Sequence, residues 1–215
     1  MNIQDRPVII LGAGGHAKVV SEILELSNHS FFGYITPDLD MGTKLNYGVV
    51  LGDDSIIDSY PINEIALVNG IGMLPKNNLR FNVSTMMRGK GYCFARVIHP
   101  SSILAADILL EDGVQIMAGS IIQPGVRIGK DSIVNTGVII DHDCHIGENC
   151  HLAPGVICSG GVTIENKAHI GTGVQIIQGV RIGENSVIAA GSVIYKDVPK
   201  NVLIKQNLET VEVRL

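Results

Sequence analysis

The chain has 215 residues and a net charge of −5, with 46% hydrophobic residues, 4% aromatics and no Trp. That length holds one large or two small domains. The acidic balance leaves no basic footprint for nucleic acid, no run reaches the roughly 18 apolar residues of a membrane span, and the first seven residues lack signal-peptide architecture, so a cytoplasmic protein without membrane insertion is expected.

Residues 1–93 read as a small α/β unit. Val8 to Leu11 is a short apolar strand and Gly12-Ala13-Gly14-Gly15 a turn. Ala17 to Leu26 has helical spacing, with Val19, Val20, Ile23 and Leu24 on one side and Lys18, Glu22 and Glu25 on the other. Phe32 to Ile35 reads as a second strand, ended by Thr36-Pro37-Asp38. Ile65 to Val68 reads as a third, followed by Gly70-Ile71-Gly72. A helix is predicted from Pro75 to about Arg88, with proline in its first turn. Strands alternating with helices imply a small Rossmann-like parallel sheet of three or four strands.

From residue 94 to 200 the pattern changes. Seventeen positions six apart, from Ile98 to Ile194, are aliphatic except Cys158. Four residues after each comes a second small or β-branched residue, such as Ser120, Val126, Ser132, Cys144 and Cys150. A period of six fits neither a helix nor an alternating strand and marks a hexapeptide solenoid. With few aromatics, its core must be stacked Ile, Val, Leu and Ala. Three hexads make one triangular coil, so residues 18 apart lie above one another. The pattern gives between five and six coils, and strands about 4.8 Å apart make a prism roughly 25 Å long. Residues 201–215 read as a closing strand or tail. Cys144, Cys150 and Cys158 fall at inward positions and read as buried small hydrophobes; no C-x-x-C pair suggests zinc or redox chemistry, and no metal site is expected.

Three places carry chemistry. Gly12-Ala13-Gly14-Gly15-His16-Ala17-Lys18 follows a strand and opens a helix, so its N–H groups and the helix dipole favour a phosphate. The unit is half the size of a dinucleotide fold, which favours a mononucleotide or nucleotide sugar, with Lys18 offering charge to a diphosphate and Asp38 accepting from base or ribose. The second place is Asp141-His142-Asp143, with His145 nearby, at a prism corner. Imidazole accepts protons near neutral pH, Asp143 reaches it by curling around the corner, and Gly160 lies above it. The third is a set of His151, Gly160 and Gly161, in which the glycine N–H groups can polarise a carbonyl. His169 stacks over His151, and His145 and His151 point from neighbouring faces.

Together the G-x-G-G-H-x-K-V-V segment and the hexapeptide repeat resemble the bacterial nucleotide-sugar acyltransferases, which make N-acetylated bacillosamine, perosamine and viosamine precursors and O-acetylated sialic acid. The resemblance covers nearly the whole chain. It implies a left-handed parallel β-helix, a homotrimer, and acetyl-CoA bound as co-substrate between neighbouring β-helices. It implies His142 as general base with Asp143 as its acidic partner. Asn135 would position base or sugar, His151 would lie near the acetyl group, and the Gly160 N–H, beside Gly161, would meet the thioester carbonyl. Gly12, Gly14, Gly15, His16, Lys18, Asp38, Gly70 and Gly72 would form the nucleotide-sugar site. Two segments differ from the family: Asn201 to Leu208 replaces a G-x-P-A ending, and Gly70-Ile71-Gly72-Met73 lacks the usual polar residues.

The expected activity is acetyl-CoA-dependent N-acetylation of the 4-amino group of a nucleotide-linked 4-amino-4,6-dideoxy sugar, serving surface polysaccharide of the O-antigen type or glycan biosynthesis. The alternatives are sugar O-acetylation of the sialic acid type, a metal-dependent hydratase on the same prism, and a non-catalytic nucleotide-binding assembly protein.

Overall fold

The computed structural model describes residues 3–75 and 77–205. The α/β unit is built on β1 (Val8–Leu11), α1 (Gly15–Leu26), β2 (Phe31–Ile35), β3 (Lys44–Leu45), β4 (Gly48–Gly52), β5 (Ala66–Asn69) and α2 (Leu79–Gly89). The sheet order is β3-β4-β2-β1-β5, parallel except for the β3–β4 hairpin. β1 and β5 are buried throughout, which is why they read as unbroken apolar runs rather than alternating ones. β1 lies between β2 and β5, so the strand order reverses there and a crevice opens at the carboxyl ends.

Most element ends shift from expectation by one or two residues; the start of α2 and the strand β4 differ by more. α2 begins at Leu79 rather than Pro75, because Asn77 Oδ1 accepts from the Leu79 N–H at 2.9 Å and ends the preceding loop. The fourth parallel strand is β4, whose flanking glycines disguise it; Gly52 has a φ of +153°.

The prism follows the hexad register without a break. Each spaced residue from Ile98 to Ile194 is the second residue of a two-residue strand. Every pairing between coils is parallel with an offset of 18, for example His151 with His169, apart from the end of the prism, where the bridge Ile182–Val198 and the closing strand Leu203–Ile204 on Val187–Ile188 have an offset of 16. Three sheets result, of seven, six and five strands. Residues 206–215, the rest of the expected tail, lie outside the described residues.

The core is a set of aliphatic ladders in which Cys144, Cys150 and Cys158 occupy buried inward places. Leu152 is fully buried between Val134 and Ile170. A coil cannot collapse onto a missing side chain without shifting its whole ladder. Leu152→Ala should therefore destabilise the protein by about 2–5 kcal/mol, read by denaturant unfolding; a loss under about 1 kcal/mol would show that the ladder can close the gap.

The three faces differ outside. On the first face the outward residues Val97, Gln115, Ile133 and His151 are buried, because the α/β unit sits on them. Among the outward residues of the second face, Ile103 is 65% exposed, Ile157 38% and Val193 54%. On the third, Leu109, Arg127, His145 and Arg181 are exposed.

Candidate functional site

The crevice between β1 and β5 is a cleft of about 650 Å³, floored by the prism. Gly12, with φ +91°, turns the chain out of β1, and Gly14 is the N-cap of α1 without a side-chain cap. The first N–H groups of α1 are thus left for a ligand, and the positive end of the helix dipole faces it. Gly70 allows β5 to end against α1, since a Cβ there would lie 2.9 Å from Ala17 Cβ. Gly15, His16, Asp38, Gly72, Asn135 and His151 complete the expected residues that line the cleft.

Lys18 does not line it. It is exposed on α1, two residues or about 200° around the helix from His16. The expected charge on a diphosphate is therefore absent from this geometry.

A polar chain ties cleft to prism. Gln115 donates to the Asn69 carbonyl at 2.9 Å, so its Oε1 accepts from His16 Nε2 at 2.7 Å. This leaves His16 Nδ1 without a proton. Asn135 Oδ1 accepts from the Thr136 N–H at 2.8 Å, so its amide nitrogen donates to His151 Nε2 at 3.3 Å. The His151 and His169 rings meet edge to face at 4.8 Å. Burial holds His16 down at about 4 and His151 at about 3, with Arg80 adding to both.

The sign of the pH effect follows. Unfolded, both rings protonate near pH 6.5; folded, they resist to about 4 and 3. Stability is complete above pH 6.5 and falls below it by about 1.4 kcal/mol per pH unit for each ring. The melting temperature should drop as pH falls from about 6.5 towards 4. A flat profile over that range would mean that the rings protonate freely in the folded protein.

Asn69, Arg80, Gln115 and Asp131 were not foreseen as supports. Asn69 donates to the Arg80 carbonyl and Ser84 Oγ at 3.0 and 2.9 Å. Arg80, 1% exposed, donates to the carbonyls of Asn69 and Ile71 at 2.8 and 2.7 Å. Arg88 grips both oxygens of Asp131 at 3.2 and 2.9 Å. The signal available was a polar residue in the column of Val97, Gln115, Ile133 and His151, but nothing in that column says which face becomes covered.

His142 stands elsewhere, on the corner between the second and third faces. The His142 ring Nδ1–H donates to Asp143 Oδ2 at 2.9 Å, while its backbone N–H donates to Asp141 Oδ1 at 2.8 Å. Because a carboxylate only accepts, Nε2 keeps its lone pair. The Asp143 hydrogen bond, then the Asp141 charge, raise the His142 pKa. Asp143 reaches around the corner through a left-handed backbone, φ +58°.

Gly160 lies directly against this ring: a Cβ there would come within 2.6 Å of His142 Nε2. On the expectation that His142 is the general base, Gly160→Ala should swing the imidazole away and lower kcat by roughly 10–100-fold, a fraction of what a positioned base contributes. Its φ lies outside the left-handed range, so the fold should survive; unchanged kcat would show that the ring has another productive position.

The expected set of His151, Gly160 and Gly161 is not assembled in one chain. His151 lies on the first face, and both glycines lie on the His142 corner. The Gly161 N–H is also committed, donating to the His142 carbonyl at 2.8 Å. Only the Gly160 N–H remains for a ligand carbonyl. Burial pushes the Cys144 thiol to about 11 and the Cys150 thiol to about 12, which keeps both protonated. Among the described residues no group of three or more His, Cys, Asp or Glu side chains is placed to hold a metal, and no helix is long and apolar enough to cross a membrane.

Two families of known proteins match different parts of the chain. The PglD N-terminal domain family matches residues 7–87, and the bacterial transferase hexapeptide family matches 107–141, 127–160 and 161–196. No curated protein matches the chain by sequence. Among solved structures, a variant of perosamine N-acetyltransferase from Caulobacter crescentus in complex with CoA and GDP-perosamine is 34% identical, with 92% of each chain covered and a TM-score of 0.83. The acetyltransferase domain of PglB from Neisseria gonorrhoeae in complex with acetyl coenzyme A is 26% identical, covers 94% of this chain and 97% of its own, and has a TM-score of 0.86. WeeI from Acinetobacter baumannii is 26% identical, with 94% and 98% covered and a TM-score of 0.77. With a glycine-turn cleft on a hexapeptide prism and these relatives over nearly its full length, the chain belongs to the bacterial nucleotide-sugar acetyltransferases, which use acetyl-CoA as co-substrate.

Proposed function

We propose that the protein transfers the acetyl group of acetyl-CoA to the 4-amino group of a nucleotide-linked 4-amino-4,6-dideoxy sugar. The observation that carries this reading is the glycine-turn cleft ending on Asn135 and His151 of the prism. The turn takes the diphosphate and the sugar extends towards the prism. The Caulobacter relative, solved with CoA and GDP-perosamine, supports an amino-sugar acceptor.

The sugar amine attacks the thioester carbon, whose oxygen is received by the Gly160 N–H. The C–S bond breaks, the CoA thiolate leaves, and His142 Nε2 takes the surplus proton from nitrogen. The imidazolium is held by Asp143. The protonated, buried cysteines take no part, and no covalent enzyme intermediate is formed.

Cleft and base lie on different edges of one chain, which favours a homotrimer in which each cleft faces a neighbour's His142. The outward column of the second face, with Ile103, Ile157 and Val193 exposed, Ile121 and Ile139 half-buried and Gln175 its one polar member, supplies a surface for such packing. Gly14→Glu should abolish nucleotide binding without unfolding, since its Cβ meets nothing within 4 Å. Co-expressing Gly14→Glu with His142→Ala should then restore activity well above that of either variant alone; no restoration would place cleft and base within one protomer.

The activity is tested by CoA thiol release from acetyl-CoA with UDP-, dTDP- and GDP-linked 4-amino-4,6-dideoxy sugars and free sialic acid. Rapid release with one amino sugar is expected. Release with sialic acid alone would move the reaction to a hydroxyl, and silence throughout would remove the reading.

A further inference from the structure

The cleft has an inner annex of about 180 Å³ that the chemistry above leaves unused. It shares Gly12, Asp38, Ile71 and Leu79 with the cleft, so a ligand on the glycine turn can continue into it. Its walls are apolar: Leu11 and Ile35 from the strand ends, and Val83, Met86 and Met87 from α2. Such walls suit a flat ring, and thioethers adapt to ring faces. Its charged lining is Asp38 and Asp54.

The two carboxylates are not equivalent. Asp38 borders both cavities and sits against Thr36, whose hydroxyl donates to it at 3.4 Å. Neighbouring Asp53 is spent capping Ser55, accepting from its N–H at 2.9 Å and its hydroxyl at 2.6 Å. Asp54 lines the annex but not the cleft, and among the described residues its carboxylate has no hydrogen-bond or ion-pair partner.

We propose that this annex reads the nucleobase and that Asp54 selects guanine; the proposal rests on the nucleotide-sugar reading given above. An ionised carboxylate offers two acceptors and no donor. Guanine presents N1–H and a 2-amino N–H side by side, which match both oxygens. Uracil and thymine present one N–H between two carbonyls, so a carboxylate there opposes at least one lone pair. Adenine and cytosine present an amino group beside a ring-nitrogen lone pair, with the same conflict. Asp38, at the junction, then receives a ribose hydroxyl.

Calorimetry on the full chain with GDP, IDP, ADP, UDP and dTDP tests this. GDP should bind tightest. IDP, which lacks only the 2-amino group, should bind about tenfold or more weakly, the size of one hydrogen bond to a charged group. Asp54→Asn sets an amide donor against a guanine donor, so it should weaken GDP by about 10–100-fold and erase the GDP-over-IDP preference. Its melting temperature should match wild type, because Asp54 is exposed. Equal binding of GDP and IDP, or an unchanged GDP affinity in Asp54→Asn, overturns the assignment. Tighter binding of UDP or dTDP overturns guanine selection while leaving the nucleotide-sugar reading in place. Binding of none of the five overturns both.

Discussion

Replacing His142 by alanine should lower kcat by about 10²–10⁴-fold, the usual contribution of a positioned general base, while nucleotide binding and the melting curve stay unchanged. The ring is 55% exposed and its partner Asp143 73% exposed, so neither supports the core. The pH profile adds a readout that a structural role would not produce. Asp143 and Asp141 raise the His142 pKa above its ordinary 6.5. The base form therefore disappears as pH falls through that raised value, and the rate falls with it. Asp143→Asn removes the main cause, so the acidic limb should move to lower pH. Unchanged turnover in His142→Ala would remove the residue from the mechanism. An unmoved limb in Asp143→Asn would assign the titration to another group. An amine acceptor needs the base only for its surplus proton, so the loss should sit nearer the lower end of the range than for a hydroxyl acceptor.

The largest effect on stability is expected at Asp131. Asp131→Asn keeps the shape of the side chain and tolerates the φ of +59°, so only the charge is removed. Arg88 loses its two-point partner. Arg80 is fully buried, and burial already lowers its pKa to about 10 against the opposing Asp131 charge. Leaving such cations without a counter-charge should cost about 3–5 kcal/mol, seen as a lower denaturant midpoint. A loss below about 1 kcal/mol would mean that water reaches the seam and screens both guanidinium groups.

The prism was legible because its rule is local and repeated. Ile98 to Ile194 all point inward, His169 meets His151, and Gly160 lies against His142, as the 18-residue coil requires. The glycine turn after β1 was legible for a similar reason, since a strand, a turn and a helix follow in one short segment. The seam between the two units was not. His16 and Gln115 are 99 residues apart, and each taken alone is an ordinary polar residue. Outward residues obey no inward rule, so the choice of the first face as the covered one is set by shape and charge that no short window contains. The same limit misplaced Lys18: its charge suits a diphosphate, but the helical turn carries it to the far side of α1. It also joined His151 to Gly160 and Gly161, which share a sequence neighbourhood but not a corner.

The uninterrupted hexad register sets which changes in gene length this protein can survive. Eighteen codons inserted between coils add one full storey, and every later residue keeps its side of the building. Six codons would keep all the inward residues inward, so the chain would still fold, yet everything downstream would turn by a third of a revolution. Placed between Asn135 and His142, such an insertion would carry His142 to another edge and His151 off the seam. Only additions of fifty-four nucleotides preserve both core and site; six or twelve codons placed there would yield a folded but silent protein, and other lengths would turn inward residues outward and break the core.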